Sequence, residues 1–455
     1  MKEYADILKQ ALSRGGEFAD LYLEKRSTTV ISCEDNKIEE VISGTEVGAG
    51  LRVINQERTV YAHSNNTDHP GLLNLATNLA QAVESEGKII RMEDLVKKPA
   101  PPPQKMAELD TGAKVSLLRL ADKIVRGMDE RIVQAKVVYG DFSQEIQIAN
   151  SLRLFCEDVR RGFVFILQVV AAQENVIQTG YEVYGGSAGY PTINEEKVNE
   201  LAEVAGKRAL MMLSAIPAPA GKMTVVLSGQ SGGTMVHEAI GHGLEADLAQ
   251  NGLSVYAGCI GKQVASPLIN VVDDATLPGK RGSFRFDDEG VKSRRNLLVE
   301  NGILRGYMYD RLSAMKDKAA STGNGRRQSY QHQPIPRMTN TLILPGNSDP
   351  QEIVRSVKNG LFVTRLGGGQ VNTVNGDFVF QVSEGYLIEN GEVTKPVRGA
   401  NLIGNGPQVL KEVEAVGNDL GFTIGTCGKD GQGAPVSDAQ PTLLLPRIVV
   451  GGTGG

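Results

Sequence analysis

Two of the five histidines in this 455-residue chain fall within Thr234–Asp247, TMVHEAIGHGLEAD. His237, Glu238 and His242 are crowded there into about a turn and a half of helix. Two neutral imidazoles and a carboxylate at that spacing can hold a divalent cation and take a proton from the water beside it. The pattern is H-E-x-x-x-H, one residue longer than the H-E-x-x-H of zinc peptidases. In a regular helix, positions i and i+4 lie roughly 40° apart around the axis, whereas i and i+5 lie roughly 140° apart. His237 and His242 therefore meet only if the helix takes in one extra residue as a π-bulge, or ends between them. Gly241 and Gly243 flank the second histidine and free the backbone to leave α geometry.

A catalytic zinc ion takes three protein ligands and keeps one position for water. For the third ligand the residue types leave several candidates open: Glu245, Asp247, Asp273, Asp274, Cys259, His332 and Cys427. Cysteine binds zinc strongly as thiolate, and Cys427 lies in GTCGKDGQG, where glycines permit close approach of the backbone. Asp273–Asp274 and Asp287–Asp288 are candidates to orient the ligand histidines from behind.

The elements that must position these groups follow from hydropathy and turn chemistry. Met223–Ser228 reads as an apolar strand that runs through GQSGG into the motif helix, an arrangement that seats the helix start on a sheet. GQSGGT lacks the Lys-Ser/Thr of a P-loop, so nucleotide binding is not expected. Upstream, residues 3–13 read as a helix, 19–63 as strands, 71–85 as a helix, and 96–112 as a proline-rich connector. Then come a helix at 114–130, strands at 133–142, 145–149, 151–157 and 162–172, and a helix at 195–213. The repeated order suggests a loose duplication within the first 215 residues.

Downstream the chain is strand-dominated. Glu-Asn-Gly turns at 300–302 and 389–391 mark tight hairpins, helices are expected at 349–358 and 408–416, and a late strand at 443–450. The expected fold class is α+β: residues 1–215 as a domain of mixed helices and antiparallel strands, then residues 216–455 as a β-rich, barrel- or sandwich-like catalytic domain carrying the motif helix.

Hydrophobic residues make up 41% of the chain and charged residues 22%, with a net charge of −5. That composition fits a soluble globular protein, and the lack of a dense basic run gives no footprint for nucleic acid. No apolar run approaches the ~20 residues of a membrane helix. The N-terminus has no signal-peptide core, and the four cysteines are scattered, so a cytoplasmic location without a disulfide framework is expected.

VHEAIGHGLEAD, VVDDATLPGKRGSFRFDDEGV, ENGILRGYMYDRLSA, TGNGRRQSYQHQPIPRMTNT and the late GTCGKDGQ occur in an order that resembles the TldD branch of the TldD/PmbA family of metallopeptidases. The resemblance covers most of 223–455 and is weaker upstream, in EVGAGLRVI. It implies zinc held by His237, His242 and Cys427, with Glu238 as catalytic carboxylate. His332, Tyr307, Tyr309 and Arg337 are candidates for stabilising the oxyanion. The resemblance also implies unfolded or extended peptides as substrates, bound as an added strand at an edge sought in 363–382. It further implies a heterodimer with a TldE/PmbA-like subunit, or else a homodimer. Two other readings compete: a gyrase-modulator-type scaffold with a structural metal, and a metal-dependent amidase acting on a small molecule.

Overall fold

The computed structural model describes residues 1–83, 94–99, 109–188 and 193–452. Of the connector expected at 96–112, residues 100–108 lie outside the described residues, while Val96–Lys97 form a short strand and Thr111 opens a helix.

Residues 2–213 build one long sheet, antiparallel except for one short parallel strand, with four helices on one face. In chain order they are α1 (Lys2–Ala11), β1 (Phe18–Glu34), β2 (Lys37–Asn55), β3 (Arg58–Ser64), α2 (His69–Gln81), a short β4 (Val96–Lys97), α3 (Thr111–Arg126), β5 (Ile132–Asn150), β6 (Leu154–Gln173), β7 (Val176–Ser187) and α4 (Glu195–Leu213). The sheet order is β3-β2-β1-β5-β6-β7, with β4 added beside β6. The order α-β-β-β-α occurs twice, and the two runs meet at the β1–β5 pair.

Alternation assigns the faces. Ala19 and Leu21 lie under α1 and α2, while Ile31 and Cys33 lie under α3 and α4 on the same face. Tyr22, Ile146, Ile148, Leu154 and Cys156 point the other way, onto Phe286 and Tyr330 of the C-terminal half. Expected strands at 133–142 and 145–149 are one continuous strand, as are 151–157 and 162–172 apart from the turn at 151–153. Strand β7 was not foreseen: its VIQTGYEVYGGS has four polar or charged residues and three glycines, and its few aliphatic residues, Val176, Ile177 and Val183, set up no clear alternation. It is held by a twelve-pair ladder along β6.

The C-terminal half holds two larger sheets. The first contains β8 (Ile216–Pro217), β9 (Gly221–Leu227), β16 (Asn359–Val371), β17 (Asp377–Glu389), β18 (Glu392–Arg398), β19 (Asn401–Asn405), β20 (Ala415–Val416) and β23 (Leu443–Gly451). The ring β16-β9-β23-β19-β17 closes through the β16–β17 pair, so this sheet is a barrel. The second has the order β12 (Ile303–Leu304), β11 (Arg295–Glu300), β10 (Val271–Asp274), β15 (Asn340–Ile343), β22 (Gln432–Gln440), β21 (Gly421–Lys429). A small ladder, β13 (Gly325–Arg326) with β14 (Ile335–Pro336), sits beside it. Both Glu-Asn-Gly turns form hairpins, with φ of 49° and 77° at Asn301 and Gly302 and 54° and 82° at Asn390 and Gly391, as a two-residue I′ turn requires.

The fold class is therefore α+β, with a barrel in the C-terminal half. Among the described residues no helix is long and apolar enough to cross a membrane.

Candidate metal centre

Strand β9 leaves the barrel and turns through Gly229–Ser231 into the motif. Residues Thr234–Val236 begin as α-helix, His237–Gly241 form a π turn, and His242–Leu244 tighten to 3-10. The His242 N–H donates to the His237 carbonyl, a bond across five residues. The extra residue in the π turn returns His242 to the face of His237. Their rings stand 4.8 Å apart between centroids and nearly perpendicular, at 89°. Gly241 itself is helical, φ −54° and ψ −58°, so its role is room rather than backbone freedom: a Cβ there would lie 2.3 Å from Met338 Sδ. Met235, Val236, Ala239, Ile240 and Leu244 join the barrel side chains in one core, which fixes the segment from below.

The third group comes from the second sheet. In the β21–β22 hairpin, Cys427 pairs with Ala434 and Thr423 with Asp438, so Cys427 and Asp438 project from one face. The motif start lies against this hairpin at Gly233, where a Cβ would lie 2.2 Å from the Ala439 nitrogen. The approach puts Cys427 Sγ 3.5 Å from His242 Nε2. The donor atoms of His237, His242 and Cys427 all lie within 4.8 Å of one another.

Each imidazole is held from behind by a carboxylate. His237 Nδ1 lies 3.0 Å from Asp438 Oδ2, and His242 Nδ1 lies 3.1 Å from Glu245 Oε2. Glu245 is fully buried and is balanced by Lys429 Nζ at 3.2 Å, which also donates to Asp247 at 2.7 Å. The Nδ1 side of each ring is occupied, which leaves the Nε2 side for a ligand.

The charges in this cluster depend on one another. Burial would lower the pKa of both histidines, but Asp438 and Cys427 raise His237, and Glu245 and Cys427 push His242 up to about 10. Burial would raise Cys427, yet the two imidazoles draw it down to about 5. Burial also works against ionised Glu245, but Lys429 and His242 bring it down to about 2. A thiolate and two carboxylates thus recruit positive charge, and a divalent cation between the rings and the sulfur would supply it in place of protons.

Glu238 is partly exposed beside the triad. Burial raises its pKa while the two histidines oppose the shift. Among the described residues its carboxylate has no hydrogen-bond partner.

The other residues singled out in the sequence lie elsewhere in the network. Asp273 accepts from Asn324, Thr339 and Thr341, and Asp274 holds Thr276. Asp288 pairs with Arg160 of the N-terminal sheet, and Asp287 accepts from the backbone of Glu289, Val291 and Gly325. None of these four backs a motif histidine. Cys259 Sγ faces the Ala257 carbonyl at 3.6 Å. Tyr307 donates to the Tyr256 carbonyl and Tyr309 to Asp317. His332 faces Ser329. Arg337, fully buried, donates to the carbonyls of Cys427 at 2.5 Å and Gln432 at 3.1 Å, so it braces the hairpin. Asp438 and Lys429 escaped the sequence reading because their roles depend on a hairpin register and on a contact 182 or more residues away in sequence. The only local signal was the alternation that puts Cys427 and Lys429 on one face.

Sequence and fold comparisons agree with one another. The chain matches the model of PmbA/TldA metallopeptidase domain 1 over residues 19–89, that of the central domain over 105–213 and that of the C-terminal domain over 220–452. It is 37% identical to a metalloprotease TldD homolog of Haemophilus influenzae, over 97% of this chain and 94% of that one. It is 35% identical to a metalloprotease of Methanocaldococcus jannaschii, covering 93% and 94% of the two chains. The fold superposes on the crystal structure of TldE from Thermococcus kodakarensis with a TM-score of 0.80 at 18% identity, over 98% of this chain and 99% of that one.

Proposed function

Because the chain belongs to the PmbA/TldD family of metallopeptidases, we propose that it is a zinc-dependent peptidase whose ion is held by His237, His242 and Cys427 and whose general base is Glu238. The observation that carries this reading is the convergence of two imidazoles and a low-pKa thiol, with an unpartnered carboxylate beside them. Zinc–nitrogen bonds of ~2.0 Å and zinc–sulfur bonds of ~2.3 Å in tetrahedral geometry put neighbouring donors roughly 3.3–3.6 Å apart. The 3.5 Å between His242 Nε2 and Cys427 Sγ fits that spacing, and the widest separation in the triad, up to 4.8 Å, would have to close by about 1 Å around an ion. Nitrogen and thiolate donors also favour zinc over magnesium or calcium.

A bound ion would supply Lewis acidity toward the scissile carbonyl and acidify a water. The residues do the rest. Asp438 and Glu245 keep both rings in the tautomer that presents Nε2. Glu238 takes the proton of the attacking water and returns it to the leaving amine nitrogen, work for which an unpaired carboxylate with a raised pKa is suited. Three donors among the described residues leave a coordination position free, whereas a purely structural zinc site closes with four.

The substrates we infer are unfolded or extended peptides bound along a strand edge. Within β16, Gly360–Val363 are flanked on both sides, by β9 and β17, but among the described residues Arg365–Val371 pair with β17 alone. This free edge includes the exposed Gly367 and Gly368, on a strand that packs against the π turn. A TldE-like partner subunit, or a second copy of the chain, belongs to the same reading, as do a cytoplasmic location and domains divided at 215/216.

The test is cleavage of an unstructured peptide by the chain, alone and with a TldE-like subunit, before and after chelation. Cleavage that disappears with the chelator and returns with one equivalent of zinc supports the proposal. Cleavage that survives complete metal removal refutes it.

A further inference from the structure

On the opposite face of the β21–β22 hairpin from Cys427, Thr426 and Pro435 line a cavity of about 600 Å³ between the N-terminal sheet and the C-terminal half. That volume is within the roughly 300–1,000 Å³ of small-molecule sites. Its charged lining is one-sided, with seven arginines against two aspartates. Both aspartates are engaged: Asp158 with Arg285 at 2.5 Å and Asp288 with Arg160 at 2.7 Å. A third arginine, Arg327, lies 3.4 Å from Asp20 behind the cavity wall.

The other four have only neutral acceptors among the described residues. Arg326 is 6% exposed and donates to the carbonyls of Met338 and Pro435 at 2.5 and 2.7 Å. Arg281 donates to the Gly425 carbonyl at 3.0 Å. Arg26 reaches the Gln328 carbonyl at 3.4 Å and lies over the Phe142 ring, and Arg161 reaches Ser143 Oγ at 3.5 Å. Burial pulls Arg326 down to about 10, with Asp288 opposing the shift only in part, and lowers Arg281 as well. Burying a guanidinium with no anion is costly. Arg326 bears that cost, and with the half-buried Arg26, Arg161 and Arg281 it gathers four guanidiniums around one cavity with no anion bound to them among the described residues; the guanidinium fork matches carboxylate and phosphate oxygens in pairs.

We propose that this cavity binds a small multivalent anion, a phosphate ester or a polycarboxylate, held by Arg26 and Arg161 from the N-terminal sheet and by Arg281 and Arg326 from the C-terminal half. Such a ligand ties the two layers together behind the hairpin that carries Cys427. The inference does not depend on the peptidase reading.

Pyrophosphate and citrate serve as probes for the two chemistries. Each is titrated into the full-length protein by calorimetry, with sodium chloride at matched ionic strength as control. Because both probes also bind metal ions, the titration is repeated on chelated protein. The expected result is saturable binding of one pyrophosphate or citrate per chain, retained after chelation, with a rise in melting temperature that chloride does not reproduce. Whichever probe binds more tightly identifies the phosphate or the carboxylate form. Arg26→Gln and Arg161→Gln, both on a half-exposed surface, and Arg281→Gln each weaken binding at least about tenfold. Absence of binding beyond the chloride control overturns the proposal. So does binding that vanishes with the metal, or binding that folded Arg26→Gln and Arg161→Gln proteins leave unchanged.

Discussion

The two faces of the β21–β22 hairpin differ in how their charges are matched. On the Cys427 face, each ring nitrogen turned away from the donor cluster meets a carboxylate, at 3.0 Å for His237 and 3.1 Å for His242. Glu245 in turn meets Lys429 at 3.2 Å. On the Thr426 face, four arginines have, among the described residues, only neutral partners: carbonyls, a hydroxyl and aromatic rings. In the proposed reading a cation would complete the first face and an anion the second. A hairpin one strand thick keeps the two apart, because alternate side chains point to opposite sides.

Substitutions that act on one face and spare the other sharpen this contrast. The largest effect is expected from Cys427→Ser or His237→Ala. Each removes a donor, so metal content by mass spectrometry should fall well below one ion per chain and peptide cleavage should drop by roughly 10³-fold or more. Calorimetric binding of anions at the arginine cavity should persist in the Cys427→Ser protein.

Next is Lys429→Met, which leaves the buried carboxylate of Glu245 and the half-buried one of Asp247 without their cation; a loss of about 3 kcal/mol in urea unfolding is expected. The pH profile carries the sign. Glu245 titrates at about 2 when folded, below its ordinary 4.5. In chelated wild-type protein its ionisation therefore adds stability that is full above pH 4.5 and fades as the pH falls toward 2. The Lys429→Met curve should be flatter over that window.

Asp438→Asn should keep the fold but weaken metal binding roughly 10- to 100-fold, measured by competition with a chelating dye, since a misdirected ring costs affinity. The smallest effect is expected from Tyr309→Phe. Its hydroxyl contacts Asp317 rather than the triad, so a change of about 1 kcal/mol or less in stability and no change in cleavage is the expected outcome.

The contrast also explains what the sequence could reveal. Spacing alone narrowed the motif to a π turn or a helix end between the histidines, because residues five apart cannot share a face of an α-helix; the structure has the π turn. Helix α4 was legible from its periodicity. The long strands were read as shorter pieces: 133–142 and 145–149 are one strand, β5, whose pairing along β1 continues through Ser143 and Gln144 although these polar residues interrupt the apparent pattern. Barrel closure was not legible as such, since β16 meets β9 more than 130 residues away in sequence and in parallel. Acidic pairs such as Asp273–Asp274 stood out locally and turned out to serve loops and the contact between halves. Asp438, isolated in APVSDAQ, backs His237. Partners set by register across a sheet leave little trace in either strand alone.

The most direct test of the central claim is Glu238→Gln in the zinc-loaded protein, measuring metal content and peptide cleavage on the same sample. The account predicts about one zinc per chain, as in wild type, with cleavage lowered by roughly 10²- to 10⁴-fold. Wild-type cleavage by a fully loaded Glu238→Gln protein would contradict it and move the base to another group.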